Sequence, residues 1–218
     1  MKKLIVAAMM VLGTTSAFAG DSDALKAVLK AKTYAEAEAL VKQNLGQLAD
    51  NAEKAKAYNK LVDLGMKAFN DQQSIQQTNQ IMKKNDPVDE NAMNEGAYNA
   101  LMNAIACYKY DQLPNAKGKV APKFNGNASR VWAARQQLVN AGQAAAQNNK
   151  ADEVLKYWGA FLDTDSDPLF AGIDAKQKDA EKDYIGQVAL FALSFLCRAA
   201  RCVACIAITR ILGTRKGR

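Results

Sequence analysis

Residues 137–148 read QLVNAGQAAAQN, and residues 60–71 read KLVDLGMKAFND. Aligned, the two segments agree at Leu138 and Leu61, Val139 and Val62, Gly142 and Gly65, and Ala145 and Ala68. The leucine, the glycine and the alanine fall at i, i+4 and i+7, which puts them on one stripe of a helix. A stripe with one bulky residue followed by small ones lets a second helix approach closely. The same offsets return in ALMNAIACYKYD, at Leu101, Ala104, Ile105 and Tyr108. They return once more in YIGQVALFA, at Ile185, Val188, Ala189 and Ala192. A single hairpin with one apolar stripe cannot bury it alone, so four helices on one template predict an all-α chain of antiparallel helical hairpins stacked as a short array.

The flanking sequence agrees with helices. Residues 22–69 keep apolar positions at i, i+3, i+4 and i+7, with Ser22 or Asp23 as first N-cap, Thr33 opening a second helix at Tyr34, and Asn51 capping a third. The polar, amide-rich residues 70–96 hold helix ends, a loop around Asp86 and Pro87, and a new helix from about Glu90. Residues 111–130 carry two prolines and no period, which predicts the longest irregular connection, with helices resuming near Ala128. Alanine is abundant, aromatics are 7% and prolines number four, all consistent with closely packed helices.

The most complete unit is LVNAGQAAAQNNKADEVLKYWGAFLDTDSDP, residues 138–168. Leu138, Ala141, Gly142 and Ala145 mark its first helix, Val154, Trp158 and Phe161 its second, and Pro168 its close. This pattern resembles the tetratricopeptide repeat (TPR) family, and the resemblance extends over residues 34–192 as degenerate units. Val154 and Phe161 replace the family's usual small residues, and the units are spaced by 40, 37 and 47 residues where the family uses about 34. The resemblance implies a TPR-like solenoid that binds an extended peptide or a partner protein on its concave face, lined by the first helix of each hairpin. Carried onto the most complete unit, that face shows Gln136, Val139, Gln143, Ala146 and Gln147. With no lysine or arginine among them, it would act by amide hydrogen bonds and shape.

The first residues, MKKLIVAAMMVLGTTSAFAG, combine two lysines, a short apolar run and Ala17-Phe18-Ala19 in the small-x-small pattern of signal peptidase sites. This predicts a cleaved signal peptide over residues 1–19, a mature chain from Gly20, and a bacterial periplasmic location. The formal charge of +7 is carried by the ends, because residues 20–192 hold 21 basic against 22 acidic side chains. No basic stripe is left in the body, which argues against a nucleic-acid partner.

The chain contains no histidine, which removes most general-base, triad and zinc arrangements. Cys107, the one cysteine of the body, reads as a buried structural thiol, so a non-catalytic protein without cofactor or metal is expected. The stretch DTDSDPLFAGID puts Asp163, Asp165, Asp167 and Asp174 at positions 1, 3, 5 and 12 of a calcium-loop pattern. Pro168 occupies the glycine position and Asp174 is a short substitute for glutamate, so a solvated turn is the expectation and a calcium site the alternative. Trp132, Tyr157, Trp158 and Phe161 read as packing between repeats.

Residues 193–218 differ from the rest: they contain no Asp, Glu, Asn or Gln, and five of the chain's seven arginines. A membrane span over residues 185–208 would carry Arg198 and Arg201 near its middle. An interfacial anchor lacks a single apolar face, and Cys197, Cys202 and Cys205 lack a fourth metal ligand. Because the fourth template helix is complete through Ala192 and no second helix of the same style follows, the tail reads as a replaced C-terminus, most economically through a reading-frame change. The expectation is therefore an exported helical-repeat scaffold binding a protein or peptide. The alternative is a membrane-associated structural protein held by its apolar, basic C-terminal helix.

Overall fold

A computed structural model of the chain describes residues 20–199. The signal-peptide expectation for residues 1–19, and most of the tail, residues 200–218, lie outside the described residues. The described chain is all-α, with no strand among the described residues: α1 Asp23–Lys30, α2 Tyr34–Asn44, α3 Asn51–Met82, α4 Glu90–Asp111, α5 Asn127–Gln147, α6 Ala151–Asp163 and α7 Ala175–Ala199. Short 3₁₀ turns at Leu45–Gln47 and Pro168–Phe170 complete it.

Capping side chains set most helix starts. Ser22 Oγ accepts from the Leu25 N–H at 3.2 Å and Thr33 Oγ1 from that of Glu36 at 3.3 Å, each satisfying one of the free donors of a first turn. For α3 the cap is Asp50, whose carboxylate accepts from the Glu53 N–H at 2.9 Å. The expected cap, Asn51, is instead the first helical residue, and its amide donates to the Pro114 carbonyl at 2.8 Å. Glu53 then reaches back to accept from the Ala49 N–H and from both the N–H and hydroxyl of Ser22. The start of α1 is thereby tied to the start of α3. Two apolar cores result, a small one among α1, α2 and the first half of α3, and a larger one shared by α3 to α7.

Helices α3 and α4 are antiparallel arms of one hairpin, since Gly65 lies against Ala100 and Gly96 against Phe69. A Cβ on Gly65 would stand 2.8 Å from the Ala100 nitrogen, so the backbones themselves touch at this crossing. This corrects one expectation. Leu101, Ala104 and Ile105 do not open a new unit; they are the return arm of the hairpin that Gly65 begins. The small residues that make this close crossing are Gly65 on α3 and Gly96 and Ala100 on α4, and the last two precede the template positions of α4.

Helices α5 and α6 form the second hairpin. Here Gly142 lies beneath the Trp158 indole, whose Nε1 donates to the Val139 carbonyl at 3.0 Å. Helix α7 then packs on the large core through Val188, with Ile185, Ala192 and Phe195 beside it. It continues without a break past Ala192 to Ala199, so the compositional boundary at residue 193 is not a boundary of the helix.

Candidate functional site

The connection between α6 and α7 determines where α7 lies. Thr164 Oγ donates to the Ala160 carbonyl at 2.7 Å, Asp167 accepts from the Leu169 N–H at 2.9 Å, and Asp174 accepts from the Lys176 N–H at 2.8 Å. These local bonds fold the segment so that Leu169 and Phe170 enter the core, with the Phe170 ring edge-on to Trp132 at 5.3 Å. They also bring α7 back against α5, where Arg135 is waiting.

Arg135 is 0% exposed. Its guanidinium donates to Thr164 Oγ1 and to the Phe161 carbonyl, both at 3.0 Å, and forms a short ion pair with Glu181 of α7. The rings of Phe161, Trp132 and Phe170 stand 4.4, 5.2 and 5.7 Å from its central carbon, a setting in which aromatic faces favour a cation. The second oxygen of Glu181 accepts from Gln136 Nε2 at 3.2 Å. A buried charge persists only when it is paired and hydrogen-bonded, and this pair satisfies that condition across three helices.

From this pin α5 and α7 run in parallel, since both are antiparallel to α6, and between them opens a groove of about 560 Å³. The α5 wall presents Val139, Asn140, Gln143, Ala146 and Gln147, and the floor is Trp158 with Val188. The α7 wall presents Tyr184, Gln187, Phe191, Ser194, Phe195 and Arg198. Among the described residues no carboxylate lines the groove, and Arg198, in the last described turn of α7, is its one charged lining residue. Such a surface can hold apolar side chains against its rings and meet peptide groups with its amides.

Of the residues expected on the binding face, Val139, Gln143, Ala146 and Gln147 line this groove. Gln136 does not: its amide is taken by Glu181 at the pinned end. The opposite wall escaped the sequence reading, although Tyr184, Gln187, Phe191, Ser194 and Arg198 recur at intervals of three and four residues. Arg135 was also missed. Its signal was composition, because the body uses lysine nearly everywhere and arginine only at residues 130 and 135.

The four aspartates of the calcium-loop pattern are not gathered into one cluster among the described residues. Asp167 and Asp174 turn their carboxylates to backbone N–H groups, and Asp165 faces the Arg135 guanidinium at 3.8 Å. Asp163 is the exposed last residue of α6, and no cluster of three potential metal ligands occurs among the described residues. Cys107 is buried, donating to the Ala55 carbonyl at 3.3 Å. Burial, with the nearby Asp111 carboxylate, pushes its thiol up to about 12, so it is not a thiolate near neutral pH. A further polar cluster joins α4 to α6, with Glu95 accepting from Lys156 at 2.5 Å and from the Tyr157 hydroxyl at 2.8 Å. Burial, then the Glu95 hydrogen bond, raises the Tyr157 phenol well above its ordinary value. Its hydroxyl serves as a donor in a structural contact.

No helix among the described residues is long and apolar enough to cross a membrane. No family model matches the chain, and neither a curated protein nor a solved structure matches it.

Proposed function

We propose that this protein is an exported, non-catalytic helical-repeat scaffold that binds a protein or peptide segment in the groove between α5 and α7. In this reading the α3–α4 and α5–α6 hairpins are successive TPR-like units, α7 is the first helix of a third, and the groove is the concave face between two first helices. The observation that carries it is the groove itself: an amide-rich wall faces an aromatic wall across about 560 Å³, without a carboxylate among the described lining. Amides match a peptide backbone, and the rings of Tyr184 and Phe191, both more than half exposed, provide anchoring surface of the kind that dominates recognition sites.

The test places a photo-activated cross-linking residue at Gln143, at Gln187, or at the exposed Leu155 of α6, in cells that make the protein. Adducts from the two groove positions and none from Leu155 are expected, in the soluble periplasmic fraction. Adducts from no position, or equally from all three, refute the reading.

A second reading, a membrane-associated structural protein, draws on Leu190, Phe191 and Leu193, which leave α7 with an exposed apolar side. Retention of the protein in carbonate-washed membranes would favour it over the scaffold.

A further inference from the structure

The groove is asymmetric along its length. At one end α5 and α7 are bound together by the Arg135–Glu181 pair and the Gln136–Glu181 hydrogen bond. At the other end α5 stops at Gln147, while α7 continues to Ala199. Arg198 therefore stands at this second end, the mouth, beyond the last residue of the facing helix. It is exposed and makes no ion pair with any described residue. Between pin and mouth the surface is rings, aliphatic groups and amides: Trp158, Val188, Phe191, Phe195, Gln143 and Gln187.

We infer that the occupant is an apolar segment of a longer partner chain, followed at the mouth by an acidic side chain that pairs with Arg198. The inference rests on the peptide-binding reading given above. An unpaired guanidinium at the rim of an otherwise uncharged groove attracts an anion, and its planar fork suits a carboxylate. The pinned end is blocked by buried side chains, so the occupying chain leaves through the mouth. What passes Arg198 is then continuing chain rather than a terminus. The lack of acidic lining also disfavours basic segments, because nothing among the described residues would pair a lysine held there.

Three amidated or free pools of synthetic octapeptides drawn from Ala, Leu, Phe and Gln test this on the immobilised purified protein. One pool carries a single Asp near its amidated C-terminus, the second carries Asn in its place, and the third carries Asn with a free terminal carboxylate. The Asp pool should be retained about two- to fivefold over the Asn pool, the range of an exposed charge pair. That ratio should fall toward one at high salt and in Arg198→Gln. Equal retention of the Asp and Asn pools, or an Asp preference that survives Arg198→Gln, overturns the inference while leaving peptide binding in place. Preference for the free-carboxylate pool would make the occupant a chain terminus and also overturns it. A photo-cross-linker at Phe191 that couples to residues 200–218 of the same chain would make the protein its own occupant, with the same consequence. Retention of no pool overturns the peptide-binding reading beneath it.

Discussion

Replacing Arg135 by methionine tests how α7 is held. The new side chain is of similar length, but it removes the bonds to Thr164 and the Phe161 carbonyl and the ion pair with Glu181. Thr164 keeps the Ala160 carbonyl as its acceptor at 2.7 Å, with the Phe161 carbonyl sharing the same hydroxyl at 3.2 Å. Glu181 does not fare as well: it is 4% exposed and would keep only the Gln136 amide. Leaving one member of a buried pair uncompensated costs about 3–5 kcal/mol, and Glu181→Leu, which strands the guanidinium among three rings, should cost a similar amount. The double variant Arg135→Met/Glu181→Leu removes both charges and leaves an apolar contact, so it should fall within about 1 kcal/mol of the parent. The coupling energy is then nearly as large as the two single effects together. Urea unfolding followed by helical circular dichroism and tryptophan fluorescence measures all four forms. For a chain of this size the single variants should also lose roughly 6–20 °C in Tm. Hydrogen exchange should show the loss concentrated in residues 181–199, with α3 and α4 little changed. A cost below about 1 kcal/mol for Arg135→Met, or a double variant as unstable as the sum of the singles, would refute the view that this pair holds α7 in place.

Gly65→Ala sets a Cβ against the α4 backbone, 2.8 Å from the Ala100 nitrogen, and should cost about 3 kcal/mol in urea unfolding because no rotamer change can relieve it. Gly159→Ala is the control: nothing lies within 4 Å of its would-be Cβ, and the helix-propensity gain should stabilise by up to about 1 kcal/mol. Burial pushes the Asp50 carboxyl up, but the N–H groups of Ala116, Glu53 and Ala52 and the charge of Lys56 outweigh it, leaving it below its ordinary 3.8. A depressed carboxyl contributes stability above its unfolded value and loses it as pH falls through its folded one. Asp50→Asn, which can still cap α3, should therefore be less stable than the parent near neutral pH and equal to it in strong acid, as read by denaturant midpoints. For Cys107 the sign is opposite. Its thiol rises from 9.0 to about 12, so its contribution is complete below 9.0 and is lost as pH climbs toward 12. Peptide-mapped alkylation should leave native Cys107 unmodified at mildly alkaline pH and label it once the chain is unfolded.

Much of the helical layout was legible because its causes are local. Ser22 and Thr33 cap where a hydroxyl can reach the N–H three residues on, and Glu90 begins α4 as expected. Cys107 and the tryptophans lie inside, as their spacing on apolar stripes required. The misses have a common origin. Asp50 and Asn51 both suit an N-cap, and the choice was made by remote partners, since Pro114 engages Asn51 and Ala116 engages Asp50. The template match on α4 gave no sign that α4 packs directly against α3, because the residues that make the crossing, Gly96 and Ala100, lie just before the matched positions.

The candidate site divides along the same line. Val139, Gln143 and Gln147 follow from the helical period of α5 alone, since a residue's face on its own helix depends on spacing and nothing else. Whether that face meets solvent, a core or a second wall depends on α7, whose position is set by Arg135 and Glu181, 46 residues apart in the chain. Gln136 has the same period as Gln143, and only that tertiary pairing took it out of the groove. Sequence by itself determined which segments are helices and which stripe of each is apolar, because backbone sterics and side-chain spacing act within a few residues. Tertiary structure alone decided which stripes face one another, because that depends on contacts between residues far apart in the chain, such as the Gly65–Ala100 crossing and the buried Arg135–Glu181 pair among three aromatic rings.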